Sequence, residues 1–349
     1  MSSDQTLYFL IPGDIDTRTG GYRYDKRIIE GLRALGREVQ LISLEGNFPT
    51  PDANDLVRAQ ASLENLPDGA LILIDALAGS VMPEQLASQA DRLRLISLVH
   101  HPLALETGIS ATAARELAQT EAAALAQVQR IITTSHSTAL SLQDYTVADD
   151  TVVTVCPGTD LAPLATGSDQ QVFQLLCVAT LTPRKGHSVL LEALAELSEL
   201  PWELVCAGSQ ERDPATARAL QEQTRTLALQ DRVRFAGEVD EQTLHHLYHE
   251  ADLFVLASFH EGYGMVLDEA IARGLPIVAS NAGAMASTVP HGAGLLCQAG
   301  DSGELAAALR RFMEEADTRH SLQTAARMAR SRLRSWQQAA EEFNEALQW

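Results

Sequence analysis

The chain has 349 residues, 46% hydrophobic and 21% charged, with 26 basic against 46 acidic side chains and a formal net charge of −20. That excess of acid argues against general affinity for nucleic acid or strong membrane association, both of which need clustered Lys and Arg. The length exceeds one comfortable core, so two domains are expected.

Short apolar runs alternate with longer helical patterns. "TLYFLIP" (6–12) reads as a buried strand, followed by "GGYRYDKRIIEGLRALG", whose Ile28, Ile29, Leu32 and Leu35 repeat at helical spacing and whose Gly36 closes the helix. Further strands are expected at 38–44, 70–77, 93–101, 129–135 and 151–158, with a helix at 110–127. The stretch "PGTDLAPLATGSDQQ" (157–171) is the linker candidate. The alternation then restarts with strand "VFQLLCVAT", helix "GHSVLLEALAEL", strand "WELVCAG", a polar helix over 212–227, strand "RVRFAGEV", helix "EQTLHHLYHEA" and strand "DLFVLAS". Such order predicts two parallel sheets, each covered by helices on both faces. A last helix over 335–349 carries Trp336, Phe343 and Leu347 on one stripe.

Cys156, Cys177, Cys206 and Cys297 are widely spaced and show no metal-ligand pattern, so they are expected to be buried free thiols. No apolar run reaches the ~18 residues of a spanning helix. The polar start "MSSDQT" leads straight into a strand, and a cytoplasmic location is expected.

The strongest chemical signal is "SFHEGYGMVLDEAIARGLPIVAS" (258–280), with Glu261 in a turn after a strand and Glu269 in the helix that follows. Glu261 stands outside the carboxyl end of a parallel strand, where ligands of doubly wound sheets bind. Gly262 and Gly264 allow a sharp turn that leaves amide N–H groups at the helix start for an anion. Either acid alone also suits the macrodipole of a helix start; the combination points to a site. "TPRKG" places Arg184 and Lys185 after a strand and at a helix start, a pairing that can receive phosphate, although surface Arg-Lys pairs are common. Gly20-Gly21 stands between the first strand and its helix, as an anion-binding turn or a plain tight one. His100 and His101 end a buried strand at a rim where ligands bind, where a histidine is either structural or functional. The P-loop, nucleophile-elbow and HExxH patterns are absent. With no metal site evident, any phosphate would be neutralised by protein cations and helix dipoles.

Together "TGGYRY", "VHHP", "ITTSHST", "VCPGTD", "TPRKG", "VRFAGEV" and the E-x7-E motif in "EGYGMVLDEAIARGLPIVAS" resemble the retaining glycosyltransferases of family 4. The resemblance covers nearly the whole chain and implies an α/β GT-B fold: two Rossmann-like doubly wound domains facing a deep interdomain cleft. Residues 1–160 would form the acceptor domain, with helix 335–349 crossing back onto it, and 161–334 the nucleotide-sugar donor domain. By analogy Glu261 contacts hydroxyls of the donor sugar and Glu269 those of the ribose. The turn Gly262-Tyr263-Gly264 with Met265 and Val266 faces the diphosphate, together with Arg184 and Lys185. His101 lies near the reacting sugar, Gly20 and Gly21 bind the donor from the first domain, and Val239 edges the base. Many members have Gly-Arg where this chain has Ala179-Thr180, so Arg184 takes that arginine's duty.

The activity so implied is metal-independent, cofactor-free transfer of a hexosyl group from a UDP- or GDP-sugar to a saccharide or small-molecule hydroxyl, with retention. A nucleotide-sugar epimerase or hydrolase, or a non-catalytic nucleotide-sugar-binding subunit, is the alternative on the same scaffold.

Overall fold

A computed structural model of the protein describes residues 5–145, 147–168 and 171–348. The chain divides into two compact units, Met1–Gly158 with Arg334–Trp349, and Thr159–Leu333.

The first unit contains strands β1 (Leu7–Pro12), β2 (Val39–Leu44), β3 (Leu71–Asp75), β4 (Arg94–Val99), β5 (Arg130–Thr133) and β6 (Val152–Thr154). They are interleaved with helices α1 (Gly20–Ala34), α2 (Ala53–Glu64), α3 (Ala76–Gly79), α4 (Pro83–Ala87), α5 (Ala111–Leu125) and α6 (His136–Ser141). The strands pair in parallel in the order β2-β1-β3-β4-β5-β6. β3 is buried at every position, which is why "LILID" shows no polar alternation: helices cover both faces.

The second unit contains β7 (Phe173–Val178), α7 (His187–Ala195), β8 (Trp202–Ala207), α8 (Pro214–Thr226), β9 (Val233–Gly237), α9 (Glu241–Glu250), β10 (Leu253–Leu256), α10 (Met265–Ala272) and β11 (Ile277–Ser280). It continues with α11 (Met285–Thr288), β12 (Gly294–Cys297), α12 (Ser302–Glu314) and α13 (Ala316–Ala329). Its parallel order is β12-β11-β10-β7-β8-β9. Its core gathers Leu175, Trp202, Phe254, Ile271 and Phe312, all at most 1% exposed.

Both orders reverse direction once, between β1 and β3 in the first unit and between β7 and β10 in the second. In open α/β sheets such switch points, at the carboxyl ends of the strands, are where ligands bind.

The last helix, α14 (Trp336–Ala346), belongs to the first unit and lies on α1. Approach is closest at Gly31, where an added Cβ would come 2.4 Å from that of Ala340. Trp336 and Phe343 are buried, with ring centroids 6.0 and 6.4 Å from that of Tyr24.

Three expectations are corrected. The strand at 151–158 shrinks to Val152–Thr154: it is an edge strand, Pro157 has no N–H for a ladder, and Gly158 runs so close to Trp336 that a Cβ would lie 2.2 Å from its amide nitrogen. Cys156 in that segment is half-buried, whereas Cys177, Cys206 and Cys297 are buried free thiols. Gly20 and Gly21 are not a turn before the helix but its first two residues, because Thr19 caps it by accepting from the Tyr22 N–H.

Candidate active site

In the second unit the loops after β7 and β10, the two strands at the switch point, are bonded to each other. The Phe259 N–H donates to the Arg184 carbonyl at 2.7 Å, and the Arg184 guanidinium donates to the His260 carbonyl at 2.8 Å. These bonds bring three charged side chains together. Lys185 Nζ donates to Glu261 Oε1 at 2.6 Å, and Arg184 lies 3.5 Å from Glu261 Oε2. Ser258 donates a further bond to Oε1 at 2.6 Å. Burial alone would raise the Glu261 pKa, but the fields of Lys185 and Arg184, with the bonds from Lys185 and Ser258, hold it down at about 2. Two cations around one ionised carboxylate leave the cluster with a net positive charge, facing the end of the sheet.

Glycines set this geometry. Gly186 and Gly264 both adopt the left-handed region (φ +65° and +86°) and begin α7 and α10 with no side-chain cap. Elsewhere in the unit, Asp213, Asp240 and Asp301 cap α8, α9 and α12. Helix starts without a capping side chain leave their first N–H groups to other acceptors. At Gly186 a Cβ would lie 1.9 Å from the Ala257 carbonyl oxygen, so only glycine lets the Arg184–Lys185 turn approach the β10 loop.

The remaining sequence-indicated residues of this unit lie on α10, on the turn before it and after β9. Glu269 is buried on α10 and accepts from the Tyr248 hydroxyl at 3.1 Å, and Arg273 stacks over that Tyr248 ring. Gly262, Tyr263, Met265 and Val266 are half-buried around the turn. The Tyr263 hydroxyl donates to Asp268 at 2.7 Å, and burial pushes the Asp268 pKa up to about 6. Val239 follows β9 and packs half-buried on the core. Sequence reasoning missed Ser258, Tyr248 and Asp268, whose roles depend on partners brought in by folding.

In the first unit His100 lies against the start of α1: a Cβ on Gly21 would come 3.3 Å from its ring. His101 is turned to Glu106, with Nε2 3.4 Å from that carboxylate. Of the adjacent histidines, it is therefore His100 that meets Gly21. Behind it stand two acids that sequence reasoning missed, Asp25 on α1 and Asp75 at the end of β3. His100 Nε2 is 3.1 Å from Asp25 Oδ1 and 3.9 Å from Asp75 Oδ2. Asp25 was detectable: it shares the 25–28–29–32 stripe with Ile28, Ile29 and Leu32, an acid on the apolar face of its helix.

Among the described residues, ligand-type atoms lie mutually within 4.8 Å in two clusters, Cys177–His187–Cys206 and Asp25–Asp75–His100. The first is wholly buried in the second unit's core. In the second the imidazole Nε2 lies within 3.9 Å of both acids.

The profile of the family described as "glycosyl transferases group 1" matches residues 163–329. Nearly the whole of the second unit, Thr159–Leu333, is therefore similar to the group 1 glycosyltransferases. The matched stretch contains both loops that meet at the second unit's switch point. The chain is 28% identical over 179 residues to mannosylfructose-phosphate synthase of Agrobacterium fabrum, covering 46% of this chain and 39% of that one. It is 34% identical over 184 residues to D-inositol 3-phosphate glycosyltransferase 2 of Catenulispora acidiphila, covering 47% and 42%. The chain spans about half the length of the curated relatives it matches. In fold it is similar to sucrose-phosphate synthase of Thermosynechococcus elongatus, with a TM-score of 0.83 at 21% identity and 98% of both chains covered. It is also similar to HepE of Anabaena, solved with UDP-glucose, with a TM-score of 0.75 at 19% identity, covering 98% and 99%. The chain thus has the GT-B architecture of two Rossmann-like parallel sheets.

Proposed function

We propose that the protein transfers a hexosyl group from a UDP- or GDP-sugar to a hydroxyl acceptor, with retention of anomeric configuration and without a metal ion. The observation that carries this reading is the Arg184–Lys185–Glu261 cluster at the switch point of the second unit. Its cations are fixed in advance by their bonds to Glu261 and to the His260 carbonyl, so they need little reorganisation when negative charge grows on a leaving diphosphate. The amides at the Gly264-capped start of α10 add a helix N-terminus to the same anion. UDP and UDP-glucose complexes of the Anabaena neighbour support a nucleotide-sugar donor.

In this mechanism Lys185 and Arg184 bind the pyrophosphate, and Glu261, ionised and held in place by them, accepts hydrogen bonds from donor-sugar hydroxyls. Glu269, oriented by Tyr248, does the same for the ribose, and Val239 borders the base. The sugar–phosphate bond breaks as charge moves to the diphosphate, and the acceptor oxygen attacks from the same face while its proton passes to the departing phosphate oxygen. Atoms and charge balance with no external base.

The test is incubation with UDP- and GDP-sugars, with and without saccharide and polyol acceptors, in the presence of EDTA. Transfer that needs an acceptor and survives the chelator supports the reading. Turnover of donor alone at the same rate points to an epimerase or hydrolase, and loss of activity restored by Mg2+ or Mn2+ refutes metal independence.

A further inference from the structure

The Asp25–Asp75–His100 cluster is not used by any step above. Asp25 and Asp75 are 0% and 3% exposed, while the His100 side chain keeps 20%; the imidazole is the face of this cluster that meets solvent. The His100 carbonyl accepts from the Thr134 and Thr138 hydroxyls at 3.3 and 3.2 Å, which ties down its backbone. On the other side, Gly21 admits the ring because it has no side chain, and Tyr24 presents its ring at right angles, 5.5 Å between centroids.

We propose that Asp25, backed by Asp75, is a positioning residue that grips His100 through Nε2, holding the ring as an imidazolium against the start of α1. An imidazolium beside one ionised and one protonated acid leaves the buried cluster neutral. The acids facing the ring are Asp25 from α1 and Asp75 from the end of β3, and Tyr24 from α1 and the adjacent His101 are further titratable neighbours. Burial opposes charge on His100, yet the field and bond of Asp25 and the field of Asp75 raise its pKa to about 9. Burial, then the neighbouring Asp25, pushes Asp75 up to about 7. Asp25 Oδ2 is buried and makes no hydrogen bond among the described residues. His100 then acts as a fixed cation on the rim of the first unit. That consequence for catalysis rests on the transfer reading; the grip on His100 does not.

The test is a pH titration of the full chain labelled with 15N-histidine, reading the His100 ring nitrogens from pH 5 to 10, for the wild type and Asp25→Asn. The wild-type ring is expected to stay protonated past pH 8, and Asp25→Asn to lower its midpoint by about one unit or more. A wild-type midpoint near the ordinary ~6.5 overturns the proposal even if the variant fails to fold, as does an unchanged midpoint in a folded variant. Stoichiometric divalent metal in the purified wild type, lost in Asp25→Asn, also overturns it. With UDP-glucose as the probe donor, the alkaline limb of kcat/KM moves to lower pH in Asp25→Asn; a profile lowered in height but unmoved overturns the positioning role. A protonated, Asp25-dependent His100 in a protein that turns over no nucleotide sugar would sink the transfer reading and leave the grip established.

Discussion

Lys185 Nζ and Glu261 Oε1 lie 2.6 Å apart although 76 residues separate them. Each comes from a loop that ends a strand at the second unit's switch point, and both side chains are mostly buried, 16% and 8% exposed. A lysine so held is positioned before any ligand arrives, whereas a free surface lysine would lose side-chain entropy on binding phosphate.

Replacing Lys185 with Ala removes a cation from the proposed anion site and a partner from a buried carboxylate. Turnover is expected to fall about 10²–10³-fold, the scale of losing one fixed group that stabilises developing charge. Stability is expected to fall by about 2 kcal/mol, since Arg184 and Ser258 still engage Glu261. Steady-state kinetics and urea unfolding measure the two effects.

Acid stability follows from the same carboxylate. Its folded pKa of about 2 is depressed below the ordinary value of ~4.3, so its contribution is present above that ordinary value and is lost as pH falls through 2. The contribution is roughly 3 kcal/mol. Melting curves between pH 5 and pH 2.5 are expected to show a steeper loss of Tm for the wild type than for Glu261→Gln, which lacks the ionisation. Parallel curves would contradict the assignment.

Gly283 supports the Glu261 loop from behind. It has φ +59°, and a Cβ there would lie 2.3 Å from the Glu261 carbonyl oxygen, which also accepts from the Ala284 N–H at 2.9 Å. Gly283→Ala therefore strains the backbone and displaces that loop. A loss of about 1–3 kcal/mol is expected, with weaker nucleotide binding, measured by thermal unfolding and calorimetry.

Gly31 tests the packing of α14 on α1. Gly31→Leu must displace Ala340, whose Cβ would stand 2.4 Å from the added one, at a cost of about 1–3 kcal/mol or more. Substitution at exposed Glu30 is expected to cost less than about 0.5 kcal/mol. Equal melting temperatures for the two variants would contradict the packing.

Much of this was legible in the sequence because strand-to-helix alternation and the E-x7-E loop are local patterns. "LILID" and "DLFVLAS" read as strands from their continuous apolar runs, and Gly264 marks its turn by conformation. What was not legible depends on pairing across the chain. Nothing near Ser258 reveals that it will bond Glu261 rather than water, and the adjacent histidines look alike until Gly21 admits one and Glu106 takes the other. Thr19 was a readable cap, yet the Gly-Gly that follows it argued for a turn. Asp25 shows the converse: its place on the apolar stripe of α1 was visible, but its partner Asp75 is 50 positions away and becomes a neighbour only through the sheet order β1-β3.

The central claim, that fixed protein cations beside Glu261 hold a nucleoside diphosphate, is tested most directly by calorimetric titration of UDP and GDP in EDTA into the wild type and Lys185→Ala. Saturable binding of at least one nucleotide to the wild type, weakened about tenfold or more in the variant, is the expected result. Equal affinity for both proteins, or binding that appears only when Mg2+ or Mn2+ replaces the chelator, would contradict it.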